Sequence, residues 1–275
     1  MKQGFKLSRE VPKTFQDAIV VTHELGVPYL WIDSLCIIQD DISDWGREAS
    51  QMARIYTNAY INIAALNSGD DTKGFLRTRP FPYTTLRLNS PTSEPANIYL
   101  ITDYDESRPF IRGVYALRPR GWVLQEQYLS TRILWFTSKK IGRSCKKVEE
   151  VEDGGLFGLK VPDLRSIKWS EVFTDFSKRS LTYDTDKLPA LAGVASAFSA
   201  LSALSGKNQC RYCAGIWQKT LPENLLFFWK KPTCPSQYFA PSWSWASLNG
   251  QVEWLDGTFL GTYDLLKRVA VVDCT

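Results

Sequence analysis

From Pro12 to Leu25 the apolar positions recur at helical spacing, with Phe15, Ile19 and Thr22 on one face and Gly26 placed to stop the helix. The next stretch, "YLWID" (Tyr29 to Asp33), is apolar except for its last residue and reads as a short buried strand. Helical spacing returns from Asp44 to Asn58, and "YINIAAL" (Tyr60 to Leu66) reads as another strand. A strand, a helix and a strand with short connections predict a βαβ unit, with parallel strands and a right-handed crossover. Ligands of such sheets gather at the carboxyl ends of the strands. Here that end is Asp33-Ser34. A strand is also expected ahead of the first helix in a sheet of this kind, and the sequence offers none.

Further along, "TTLRL" and "NIYLIT" flank the polar "NSPTSEPA" and predict a hairpin. Pro119 to Ser130 reads as a short helix and "RILWFT" as the strand after it, while "EEVEDGGLFGLKVPD" reads as an exposed acidic loop. Helices are expected near Ser170–Arg179, Asp186–Ser205 and Pro222–Trp229, followed by a β-rich tail, "QVEWLDGTFLGTYDLLKRVAVVDCT". The fold class is therefore α/β, a partly parallel sheet with flanking helices, plus an α+β C-terminal extension. The expected division is an α/β core over residues 1–150 and a helical and β-rich extension over 151–275.

Composition narrows the chemistry. With 275 residues, 44% of them hydrophobic and 23% charged, the chain is globular rather than disordered. Lys plus Arg exceed Asp plus Glu by 33 − 29 = 4, and no dense basic tract accompanies that balance, so nucleic acid is not an expected partner. The N-terminus "MKQGFKLSREVPKTF" has no apolar core of a signal peptide, and no window is apolar for long enough to cross a membrane. Six cysteines, sparse over this length, then read as reduced thiols in a cytosolic or nuclear protein, with the cytoplasm the expected location. The single histidine, His23, sits at a helical surface position, which leaves acid–base work to carboxylates, cysteine, tyrosine or lysine.

Asp33, Asp40, Asp41, Asp44 and Glu48 fall within sixteen residues. On a wheel of about 100° per residue with Trp45 at the origin, Ala49, Met52 and Tyr56 lie within about 40° of it, and Glu48 lies about 60° to one side. Glu48 thus borders the apolar stripe, where a carboxylate is partly desolvated and suited to proton transfer or to stabilising a cationic intermediate. The same pattern also describes a capped helix. Ser43 or Asp44 suits the N-cap, and Glu48 gains from the helix dipole. "DDISD" matches the spacing by which some diphosphate enzymes hold magnesium, but those place it on a long helix of an all-helical fold, so no Mg²⁺ or other metal site is expected. Cys36 follows the strand end and is read first as a structural thiol. "CRYC" (Cys210, Cys213) is a lone pair, short of a zinc site. Glu126, with Arg118, Arg120 and Arg132 near it in sequence, is read as a structural ion pair.

Several blocks together resemble the heterokaryon incompatibility (HET) domain of filamentous fungi. "VPKTFQDAIVVTHELGVPYLWIDSLCIIQDDISDWGREASQMARIYTNAYINIAAL" is similar to its core motif. "GFLRTRP", "ALRPRGWVLQEQYLSTRILWF", "YDTDKLPALAGVASAF", "CAGIWQKTLPENLLFFW" and "APSWSWAS" resemble, in order, the blocks that follow it. Family members usually begin with a strand of the "LSYVWG" type, which this chain lacks. The resemblance implies a role in non-self recognition and programmed cell death, and a core distantly like the TIR domain, of flavodoxin-like type. Several TIR domains cleave NAD with a glutamate on the helix after a central strand. By that analogy Glu48 is catalytic, and Asp33, Ser34, Cys36, Asp40, Asp41, Asp44 and Trp45 are the candidates to bind the nucleotide. NAD enters as substrate, and no cofactor is assigned. Two other classes remain: a non-enzymatic module that self-associates or recruits signalling proteins, and a HET-like cyclase or isomerase of fungal secondary metabolism.

Overall fold

Pro12, which has no N–H to leave unsatisfied, stands at the N-cap of the first helix, and Gly26 follows its end at φ +66°, a left-handed conformation suited to glycine. The computed structural model describes residues 11–79, 83–88, 96–101, 120–138, 140–152, 159–204, 211–221 and 223–254. In chain order the first elements are α1 (Lys13–Glu24), α2 (Asp33–Cys36), α3 (Ile42–Asn58), β1 (Asn62–Ala64), β2 (Tyr83–Leu88), β3 (Ala96–Ile101) and α4 (Val123–Leu129). Next come β4 (Arg132–Phe136), β5 (Ile141–Cys145), β6 (Glu149–Val151), α5 (Trp169–Ser177) and α6 (Pro189–Leu204). The last are β7 (Tyr212–Cys213), β8 (Ile216–Trp217), β9 (Phe227–Thr233) and β10 (Asn249–Trp254). The chain is thus mixed α/β, as expected. Its elements gather into two units, one drawn from Met1–Cys36, Ile61–Leu117 and Arg132–Val161, the other from Ile37–Tyr60, Arg118–Thr131 and Pro162–Thr275.

The first unit holds a four-stranded sheet in the order β1-β4-β5-β6, parallel between β1 and β4 and antiparallel beyond. Consecutive residues of β4 point to opposite faces. Ile133 and Trp135 join Leu66, Leu159 and Val161, while Leu134 and Phe136 pack with Ala18, Val21, Ala65 and Phe75. The buried face of α1 is Asp17, Ala18, Val21 and Thr22, rather than the expected Phe15–Ile19–Thr22 stripe. Asp17 is 1% exposed because its Oδ2 accepts the N–H groups of Phe75 (2.7 Å) and Leu76 (2.9 Å), and Lys13 pairs with its other oxygen. β2 and β3 form the expected antiparallel hairpin.

Two expectations in this unit need correction. "YLWID" is not a strand: Tyr29 is 87% exposed, and the Ile32 carbonyl accepts the N–H groups of Leu35 and Cys36, so the chain turns into α2 at Asp33. The parallel partner of β1 is therefore β4, and the predicted βαβ unit does not form. The "exposed acidic loop" also contains β6, and its later part buries Leu159 and Val161.

The second unit is organised around aromatic rings. Val172 and Phe173 of α5 are fully buried, with Phe173 stacked on Trp245 at 5.6 Å. The Gly215 carbonyl accepts both the Trp169 and Trp245 indole N–H groups, at 2.8 and 3.0 Å. Gly215 has φ +93°, and a Cβ there would strike the Trp245 ring, so this approach requires glycine. Gly193 of α6 has the same function against α3 and α4, where a Cβ would overlap Gln125 Oε1 and meet Ala53. The helix expected near Pro222–Trp229 is instead a single 3₁₀ turn, Glu223–Leu225, followed by β9, which pairs antiparallel with β10. The remainder of the predicted β-rich tail after Trp254, like Cys210, lies outside the described residues. Among the described residues, no helix is long and apolar enough to cross a membrane.

Candidate functional site

Most of the carboxylate cluster sits where the chain enters α3. Asp41, not Ser43 or Asp44, is the N-cap. Its Oδ1 accepts the N–H groups of Ser43 (2.8 Å) and Asp44 (3.0 Å), two of the donors that a helix start leaves without partners. Asp44, 4% exposed, reaches back across the preceding turn to accept the Ile38 N–H at 2.8 Å, and also pairs with Arg47 one turn on. These two aspartates brace the turn from Ile38 to Asp41. Asp40 is exposed at its tip.

Glu48 is placed differently. Its side chain is 22% exposed, and it pairs with Arg47 Nε at 3.5 Å, so one guanidinium is shared between Asp44 and Glu48. Glu48 is thus a shielded carboxylate that holds no N-terminal helix donor. Trp45 lies edge-on to Trp122, ring centroids 6.2 Å apart, and the Trp122 indole donates to Asp186 at 3.1 Å. Further along α3, Met52 is buried, and Ala53 and Tyr56 pack on the aromatic core, which fixes which face of the helix is turned inward.

Asp40, Asp41, Asp44, Trp45 and Glu48 therefore share the first turns of α3 and the loop before them. Asp33, Ser34 and Cys36 belong to α2 in the first unit, where Asp33 Oδ1 accepts the Ser34 N–H at 2.7 Å. Cys36, Cys145 and Cys213 are half-buried and Cys234 is exposed, and among the described residues none of the four forms a disulfide. His23 is exposed, 3.8 Å from Glu24. Among the described residues, no three His, Cys, Asp or Glu side chains are grouped to hold a metal ion.

Sequence reasoning missed three features. Arg47 was legible only through its spacing, three residues after Asp44 and next to Glu48. Lys187 gives no signal: its ammonium donates to Ala246 O (3.1 Å), Leu248 O (2.8 Å) and Asn249 Oδ1 (2.9 Å), and burial pulls its pKa down to about 8 against the opposing pull of Asp184. The third is apolar exposure ahead of and within the first turn of α3, where Ile42 is 89% exposed, Ile38 48% and Trp45 40%.

Residues 2–126 match a family model described as "Heterokaryon incompatibility protein (HET)". No curated protein and no solved structure matches the chain.

Proposed function

We propose, from the premise that residues 2–126 of this chain are a HET domain, that the protein acts in fungal heterokaryon incompatibility, the recognition of non-self and the cell death that follows. We propose further that Glu48 is its working carboxylate, cleaving NAD or a related nucleotide. The observation that carries this reading is the division of labour among the acids: Asp41 and Asp44 hold backbone N–H groups, while Glu48 is shielded yet holds none of these helix-start donors. In the reaction, the bond between the ribose carbon and the nicotinamide nitrogen breaks and nicotinamide leaves with the bonding electrons. The Glu48 carboxylate offsets the positive charge that develops on the sugar, and water adds to that carbon and gives up a proton. Asp40 and Trp45, close to Glu48 in sequence and exposed, are the proposed contacts to the nucleotide in this unit. The test is nicotinamide release from NAD by purified protein beside Glu48→Gln. Release by the wild type that falls at least about 100-fold in a folded Glu48→Gln protein is the expected result, the size of a lost charge-stabilising group. No release, or equal release by both proteins, rejects cleavage through Glu48.

A second reading, that the domain works by assembly without chemistry, is favoured by the exposed Ile38, Ile42 and Trp45. Solvent-facing apolar side chains grouped in this way mark interaction surfaces.

A further inference from the structure

The start of α3 presents an apolar surface with an acidic rim. Ile42 is 89% exposed, Ile38 48% and Trp45 40%, with Asp40 and Asp41 exposed between and beside them. None of this surface is loosely held. The Ile38 N–H is fixed by Asp44, Asp41 caps the helix, and the Trp45 ring rests against Trp122. A surface held in place before binding loses little freedom when a partner arrives.

The chain also carries a segment of the opposite character. Between β5 and β6 the turn Cys145-Lys146-Lys147-Val148 projects two exposed lysines and a valine that is 50% exposed. This turn is braced as well: the Cys145 N–H donates to the Val148 carbonyl at 2.8 Å, and the Val148 N–H to Cys145 Sγ at 3.4 Å. Among the described residues neither lysine forms an ion pair within the chain, and neither does Asp40. Charges of both signs are thus available to a partner.

We propose that the protein self-associates head to tail. The Lys146-Lys147-Val148 turn of one copy docks on the Ile38–Ile42–Trp45 surface of the next, with Val148 against the isoleucines and the lysines against Asp40 and Asp41. The two surfaces differ, so a pair joined by one such contact keeps one of each unfilled, and head-to-tail association continues into chains or closes into rings. This inference goes beyond nucleotide cleavage and does not depend on Glu48; it shares Asp40 and Trp45 with the proposed nucleotide contacts, so association is measured without nucleotide and either proposal can fail without the other.

The experiment is sedimentation velocity on the purified full chain over a wide concentration series at low salt. Species larger than a dimer are expected to grow with concentration and to recede as salt screens the charge pairs. Ile42→Glu is expected to weaken association at least about 30-fold, the effect of disrupting a hot spot. Asp40→Lys and Lys147→Glu, both at exposed positions, are each expected to weaken it about tenfold. Combining these two in one chain restores the opposite-charge pair and is expected to restore association, a recovery that damage to folding does not produce. Glu48→Gln is expected to associate like the wild type. A wild type that stays monomeric throughout, association indifferent to Ile42→Glu, or a double charge swap no better than its parents would overturn the proposal.

Discussion

Replacing Phe173 with alanine is expected to cost about 3–5 kcal/mol of stability, the range for deleting a fully buried aromatic ring. The side chain is 0% exposed and belongs to a group of rings, stacked on Trp245 at 5.6 Å and in tilted or edge contact with Trp254 and Phe227 at 6.1 and 6.4 Å. Rings that pack on three sides cannot all move to fill the vacancy, so a cavity remains in addition to the lost transfer free energy. Phe173→Leu keeps most of the volume and is expected to cost less than half as much. Urea unfolding of the three proteins measures both steps. A loss under about 1 kcal/mol for alanine would mean that the aromatic cluster is not the core of its unit.

The second large effect is expected at Asp17. Asp17→Ala leaves the Phe75 and Leu76 N–H groups buried or half-buried without their acceptor and Lys13 without its partner, at a cost of about 3 kcal/mol. The loop that depends on it is fitted closely: Gly74 has φ +67°, and a Cβ there would overlap the same carboxylate oxygen. Burial alone would raise the pKa of Asp17. The hydrogen bonds from Lys13, Leu76 and Phe75, with the Lys13 charge, outweigh burial and hold the carboxyl below its ordinary value. A carboxyl that binds its proton less readily when folded stabilises the fold at any pH above its unfolded pKa. That contribution disappears as pH falls through the folded value, below about pH 4. Wild type is therefore expected to lose stability on acidification through that window more steeply than Asp17→Ala. Parallel pH profiles of the two proteins would contradict this role.

What was legible in the sequence follows from how local each signal is. Proline and glycine mark the ends of α1, an amphipathic pattern marks α3, and a polar loop between two β-prone runs marks the β2–β3 hairpin, so each is found within a residue or two. Failures came where a local pattern was overridden by distant partners or read with the wrong period. A buried aspartate on the core face of α1 cannot be foreseen when its donors are 58 and 59 residues away. The pairing of β1 with β4 is equally remote. "FFW" (Phe227 to Trp229) closes the helix expected from Pro222, although the half-buried Phe227 and Trp229 alternate with the exposed Phe228 and Lys230, the period of a strand. At the candidate site, helix-start chemistry was readable to within three residues, and Asp41 takes the place assigned to Ser43 or Asp44. The backward reach of Asp44 to Ile38 was not readable, because nothing in residue spacing shows which way a first-turn carboxylate folds.

Two substitutions measured together separate the acids that hold the start of α3 from Glu48, the one proposed to act. Asp44→Asn weakens the brace on the Ile38 turn and is expected to cost about 1–2 kcal/mol, lowering the thermal midpoint by several degrees. Glu48→Gln breaks only a half-screened pair with Arg47 and is expected to shift the midpoint by no more than a degree or two. Nicotinamide release from NAD, measured on the same samples, is expected to disappear in Glu48→Gln while the protein stays folded. Asp44→Asn is expected to keep release in proportion to the fraction that remains folded. A Glu48→Gln protein that loses as much stability as Asp44→Asn, or that releases nicotinamide as the wild type does, would contradict the account and leave Glu48 as one more brace on the helix.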